Sequence, residues 1–426
     1  MKRLVLVSLG VLAFVFACSA QKLTLPRCLE LAKSYSLKAR ASDMAIRASE
    51  LEREELSTTK LPQVKLSSDV SYAPASGTHG YDPAITDGGQ LGGRIAVQQS
   101  LYDAGIRSLR SEQLSTERNA LVKEKLITER DLVFAVEQMF IEALRSQSEI
   151  DLQQQSMKQL KEYLELVQRL TKGGQASYTD VLKTQVQLQT AERSMQKAQE
   201  SLASAKFALA EVIGRSIDTS FTIEGSMESL IAAPSMVETP LDLSQNLDVT
   251  LAQLNVSKSV FDIEIQKSER LPVIAAFADA GLLTSIDNLR LPSSERSGMF
   301  GYMVGVSLEV PLFTWGATDL RAQQKQLATD ALGLQLEAVR RSVTTDYQKT
   351  HLQLKRAEER VRSLRVSLKA ADENYALTKS KYAAGGVLSL EVLAAQQLLT
   401  DLKLDELQTL ADHQALLAKM EQITTR

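Results

Sequence analysis

The 426-residue chain is 44% hydrophobic but only 5% aromatic, with nine prolines, a composition better suited to long helices than to a compact, ring-packed core. A formal charge of -3, with no basic patch, argues against a nucleic-acid partner.

Met1-Lys2-Arg3 and the apolar run Leu4 to Ala17 predict a signal peptide over residues 1–20, cleaved after Ala20 with Cys18 and Ala20 as the small flanking residues. The competing reading is lipidation at Cys18, against which the bulky Phe16 counts. Loss of Lys2 and Arg3 with the leader moves the charge to -5, from 47 basic against 52 acidic residues. Beyond the leader there is no stretch of about twenty apolar residues, so no membrane-spanning helix is expected; an exported chain can still cross a bilayer as barrel strands. Cys28, the other cysteine, lies in a helical pattern and reads as a buried thiol.

A first structural repeat is expected over 21–213. Helical periodicity from Leu25 to Thr59 stops at Lys60-Leu61-Pro62, where proline bars continuation. Over 63–72, Val64, Leu66, Val70 and Tyr72 share one face, and Gln63, Lys65, Ser67, Asp69 and Ser71 share the other. That alternation predicts a strand with an oily and a wet side. Residues 73–92 read as a Gly-, Pro- and Asp-rich loop, and 93–102 as a second strand. A helical hairpin is expected over 104–213. Its first arm, Ala104 to Lys172, would be about 100 Å of helix and needs coiled-coil neighbours along its length. Its second arm repeats Val181, Leu188, Met195, Leu202 and Leu209 by sevens, interleaved with Ala191, Ala198 and Ala205.

Residues 214–246, with Pro234 and Pro240, read as a connector. The plan then restarts over 247–426: a helix to Glu269, Arg270-Leu271-Pro272, strands at about 273–283 and 300–312, and a helical hairpin over 316–423. Tyr347, Leu354, Val361, Leu368, Tyr375 and Tyr382 mark its seam by sevens. Leu312-Phe313-Thr314-Trp315-Gly316 matches Leu101-Tyr102-Asp103-Ala104-Gly105 at 211 positions' distance, and the turn Gly385 to Glu391 matches Gly174 to Asp180 at the same spacing.

Four strands of about ten residues suit an oblique bilayer crossing, but four cannot close a barrel. In lipid every edge amide must be paired, so strands placed there demand further copies of the chain. Trp315, Phe313 and Tyr102 at one strand end, and Tyr72, Phe300 and Tyr302 at the other, suit the girdles of two membrane interfaces.

The ordered pairs of motifs, together with the opening Thr24-Leu25-Pro26-Arg27-Cys28-Leu29-Glu30-Leu31-Ala32, resemble the outer-membrane efflux protein family, the TolC-like channel-tunnels. The resemblance implies a mostly α fold with a membrane β-barrel contribution, a homotrimer forming a 12-stranded barrel in outer-membrane lipid, and a periplasmic helical tunnel. It implies docking through the turns at Gly173, Gly174, Gly385 and Gly386 onto a periplasmic adaptor and an inner-membrane transporter. It also implies an aperture at Tyr382 and Glu391, with Asp180 in the matching first-half turn. Val387 and Ala394 stand where the family can carry a tethering arginine and a second gate aspartate, so its usual lock is incomplete here.

Simpler roles are available for the same residues. Ser177 and Asp180 have capping-box spacing, Glu391 lies in a helix's first turn, where the dipole favours an acid, and Tyr382 is a seam residue. His79, His351 and His413 follow no metal-ligand spacing, and the glycine pairs lack the context of a phosphate loop, so no cofactor and no catalysis are expected. The alternative function is a secreted coiled-coil structural or adaptor protein without a pore, which would leave the two strand pairs unexplained.

Overall fold

The computed structural model describes residues 22–73, 88–214, 221–227, 240–286 and 299–425. The expected signal peptide, Cys18, and parts of both long loops and of the connector lie outside them. The chain divides into two compact units: Met1–Ser36, Glu129–Pro240 and Asp346–Thr424 form one, and Leu37–Thr128, Leu241–Thr345 and Thr425–Arg426 the other.

The first unit opens with β1 (Lys22–Leu23), which pairs in parallel with β4 (Thr222–Ile223), and α1 (Leu25–Tyr35). The periodicity of 25–59 predicts one helix, but the chain breaks at Ser36, whose ψ of 112° is not helical, before resuming as α2 (Leu37–Thr58). Serine immediately ahead of a helix favours such a half-in conformation. The unit also takes the C-terminal parts of α3 (Ile106–Lys172) and of a second 67-residue helix (Ala317–Ala383), and the whole of α4 (Tyr178–Val212). Cys28, Ala32, Val136, Phe140, Leu144, Leu209, Ile213 and Phe221 build one core within it.

Along α4 the most covered seam positions are the small ones, Thr184, Ala191, Ala198 and Ala205, with Val181 and Leu209. The large partners Leu188 and Leu202 are only partly buried. A methyl group at the seam lets a neighbouring backbone approach closely, which accounts for the covered alanines beside Leu188 and Leu202.

In the second unit, α2 and α3 are tied by Lys125 to Asp43 at 2.7 Å, Arg118 to Glu50 at 3.1 Å and Arg110 to Glu52 at 3.2 Å. The Arg118 and Arg47 hydrogen bonds hold the Glu50 carboxyl below its ordinary range. The Gln113 side-chain amide of α3 donates to the Asp262 carboxylate of the helix α5 (Leu247–Ser268) at 2.7 Å. α6, the Ala317–Ala383 helix named above, meets α5 through Ser259 and Thr329, whose hydroxyls lie 2.6 Å apart in a buried contact.

The same unit holds a four-stranded antiparallel sheet, ordered β2 (Gln63–Ala73), β3 (Gly88–Tyr102), β5 (Val273–Ile286), β6 (Met299–Glu309). The rung Val64, Val97, Ala278, Val304 lies on one face, and the next rung, Lys65, Ala96, Asp279, Met303, on the other. Because side chains alternate across a pleat, one face gathers Leu66, Val70, Ile95, Leu282, Tyr302 and Val306, and the other Ser67, Asp69, Arg94, Gln98 and Glu309. The apolar face is bare: Leu66, Val304 and Tyr302 are 79%, 75% and 80% exposed. The outer edges of β2 and β6 have no strand partner within the sheet.

Each outgoing strand turns into its long helix through two residues with positive φ, Ala104 and Gly105 (58° and 78°) in one half and Trp315 and Gly316 (53° and 76°) in the other. Phe313 and Trp315 meet edge to face at 4.5 Å between ring centroids, and both are largely exposed. No described helix is long and apolar enough to cross a membrane.

Candidate functional site

The two glycine turns join the helices of the first unit: α3 to α4, and α6 to α7 (Ser389–Thr424). In the first, the Gly174 amide donates to the Thr171 carbonyl at 3.0 Å and the Gln175 amide to Leu170 at 2.8 Å. In the second, Gly385 donates to Tyr382 at 3.0 Å and Gly386 to Lys381 at 2.9 Å. Both are Schellman closures, in which one left-handed residue lets the last amides satisfy carbonyls that the helix leaves free. That residue is Gly174 at φ 75° and Gly385 at φ 76°. Gly173 and Gly386 do not share the conformation, so the backbone requires one glycine per turn.

The helices that follow the turns start differently. Ser177 caps α4 by accepting from the Thr179 amide at 3.2 Å. The matching position ahead of α7 is Leu388, which has no oxygen to offer, and there Glu391 accepts from the Leu388 amide at 3.3 Å. The two halves of a capping box are thus shared between the turns. Glu391 is exposed, while Asp180 is half-buried.

Under the turns lies a core of Leu160, Tyr163, Val167, Val181, Tyr375, Tyr382, Val392 and Leu399. Tyr382 is buried and stands 5.5 Å, centroid to centroid, from Tyr163. Tyr163 donates to the Ser389 hydroxyl at 2.9 Å, bridging α3 and α7. Burial pushes both tyrosines above their ordinary pKa, and the Asp180 carboxylate adds to the effect on each. So Tyr382 belongs to the buried cluster, whose phenols feel the Asp180 charge, whereas Glu391 serves a helix start. Deeper in the same bundle the Gln396 amide donates to Ser156 at 2.8 Å and to Thr400 at 3.0 Å, a second buried polar bridge.

Tyr163, Ser389 and the Ser156–Gln396–Thr400 bridge were not visible as site residues. The available signal was polar groups at seam positions of opposed helices, but the pairs are separated by 226 and 240 residues in the chain. Tyr178, Leu388 and Leu390 at the turns are exposed apolar side chains, at 68%, 70% and 59%. Among the described residues no group of His, Cys, Asp and Glu could hold a metal ion.

The family model for outer membrane efflux protein matches residues 29–215 and 241–424. The chain belongs to this family. It is 23% identical over 318 residues to the alkaline protease secretion protein AprF of Pseudomonas aeruginosa, covering 72% of this chain and 63% of that one. It is 24% identical over 279 residues to the outer membrane protein TolC of Vibrio cholerae, covering 64% and 63%. The matched stretch therefore spans less than two thirds of either relative. In fold, the outer membrane protein VceC of Vibrio cholerae matches with a TM-score of 0.76 at 15% identity, over 94% of this chain and 95% of that one. The mostly helical chain with few strands shares the fold of that outer membrane protein.

Proposed function

We propose that this family member is the outer-membrane channel subunit of an efflux or secretion system, a passive conduit and not an enzyme. Three copies contribute twelve strands to one barrel through the outer membrane and their helices to a periplasmic tunnel. A periplasmic adaptor docks on the turns at Gly173, Gly174, Gly385 and Gly386, and an inner-membrane transporter supplies the energy. The signal peptide over 1–20, the repeats over 21–213 and 247–426, and the connector over 214–246 are the corresponding divisions of the chain.

The observation that carries the reading is the sheet. A soluble coiled-coil protein has no reason to leave Leu66, Val70, Ile95, Leu282, Tyr302, Val304 and Val306 exposed on one face of a sheet, and such patches mark partner or membrane surfaces. A hydrocarbon environment satisfies that face, and strand pairing with other copies satisfies the bare edges. The polar face, with Asp69, Arg94 and Glu309, then lines a water-filled lumen.

At the turns, the buried Tyr163–Tyr382–Ser389 cluster with Asp180 holds the helix ends together, and the exposed Glu391 gives one acidic ring at the aperture. The test of the channel is membrane fractionation with oligomer migration in detergent before and after heating. A heat-sensitive oligomer in the outer-membrane fraction is expected; a soluble monomer would sink the reading. For the aperture, Glu391→Ala should change ion selectivity in a planar bilayer, and unchanged selectivity would refute an acidic constriction there.

A further inference from the structure

The two halves of the sheet are related residue by residue, and that relation fixes how a second copy joins. At the strand entrances, Leu61 donates to Thr58 at 2.9 Å and Leu271 to Ser268 at 3.0 Å, 210 positions apart. At the exits, the positive-φ turns at Ala104-Gly105 and Trp315-Gly316 lie 211 positions apart. Moving Gln63 by 210 and its partner Gln98 by 211 gives Val273 and Glu309, which are themselves a pair in β5 and β6. The two hairpins therefore share one register, with no slip between them.

Within the chain the hairpins meet at β3 and β5, with Ile95 opposite Ala280, Ala96 opposite Asp279 and Gln98 opposite Phe277. The same shift carries β3 onto β6 and β5 back onto β2, the two edges of the sheet. We propose that β6 of one copy pairs antiparallel with β2 of the next in this inherited register: Val306 opposite Val70, Ser307 opposite Asp69 and Glu309 opposite Ser67. The proposal rests on the barrel reading above and specifies the seam that closes it.

Three further observations agree with the register. It sets Val306 against Val70 on the apolar face and Ser307 against Asp69 on the polar one, whereas a slip of one residue would put oily against wet along the whole seam. The strand β3 continues to Tyr102 because Ile274 of β5 faces it, while β6 ends at Glu309, short of the equivalent Phe313, where the chain supplies no partner. Lys65 and Glu309 share the polar face of the opposite edges, and neither has an ion pair in the chain among the described residues. The register brings Glu309 one diagonal step from Lys65 of the next copy, about 7–8 Å and within reach of long side chains.

The test uses paired cysteines in the full chain, oxidised in detergent and followed on non-reducing gels, with each single substitution as control. Adjacent rungs alternate between close and wide spacing, so at least one of Ser307→Cys with Asp69→Cys and Val306→Cys with Val70→Cys should lock copies into covalent oligomers that reductant dissolves. The slipped pairs, Ser307→Cys with Ser67→Cys or Ser71→Cys, should react at least about tenfold more slowly. Faster reaction of a slipped pair overturns the register and leaves the barrel standing. An intact oligomer in sedimentation that no pair can lock overturns the β6–β2 seam itself. A monomer in sedimentation with no crosslink overturns the barrel reading.

Discussion

In the helical unit Phe140, Leu144, Leu209 and Phe221 keep no more than 2% of their surface, all of it covered by the same chain, whereas in the sheet Tyr302, Val304 and Leu66 keep 75% or more. Both regions are patterned with equal care: heptads in one, strict alternation in the other. What differs is where the covering surface comes from. The helical core closes within the chain; the sheet leaves its apolar face and its two edges uncovered, and on the proposed reading lipid and further strands finish them. Substitutions should therefore respond differently in the two places.

The largest expected effect on assembly, loss of the oligomer, is at the bare face. Val304→Arg, at an exposed position, would cost a soluble protein within about 0.5 kcal/mol, but on a lipid-facing strand it costs on the order of 2–4 kcal/mol per copy. It should abolish outer-membrane oligomer, read by fractionation, and normal assembly would break the contrast between the regions. Next is the closed core. Phe140→Ala should cost about 3–5 kcal/mol through cavity formation, seen as a lowered denaturation midpoint of the helical signal whether or not membrane is present.

A smaller effect separates the turn glycines. Gly385→Ala forces a side chain into the left-handed region and should cost about 1–2 kcal/mol, while Gly386→Ala, which lacks that conformation, should leave thermal unfolding nearly unchanged. Equal losses at both would contradict the single-glycine closure. The smallest is a titration. Burial, reinforced by Glu421, raises Glu137 from 4.5 to about 7. The folded state then holds a proton that the unfolded state has released between these values, so this group's contribution is full below about 4.5 and lost as pH rises through 7. Glu137→Gln should flatten that decline between pH 5 and 8 in denaturant titrations, and an unchanged slope would assign it elsewhere.

Much of this architecture is legible because it is local and periodic. The alternation of Val64, Leu66 and Val70, and the glycines that end the long helices, follow from spacing alone. The heptads of α4 predict both the large positions Val181 and Leu209 and the alanines Ala191, Ala198 and Ala205, and all five are buried; the buried Thr184 between them carries no apolar signal and escapes the pattern. The break at Ser36 escaped the pattern, since one residue leaves the period on either side intact. The candidate site was legible only in part. Glu391 as a helix-start acid follows from its distance to Leu388, whereas the Tyr163–Ser389 bond depends on two helices meeting and no local spacing encodes it.

The central claim is that this chain forms a water-filled conduit through a membrane. Purified oligomer added to a planar lipid bilayer should produce discrete, long-lived conductance steps, absent after heat dissociation of the oligomer. A preparation that is oligomeric and lipid-associated yet gives no steps above the bare bilayer would contradict it.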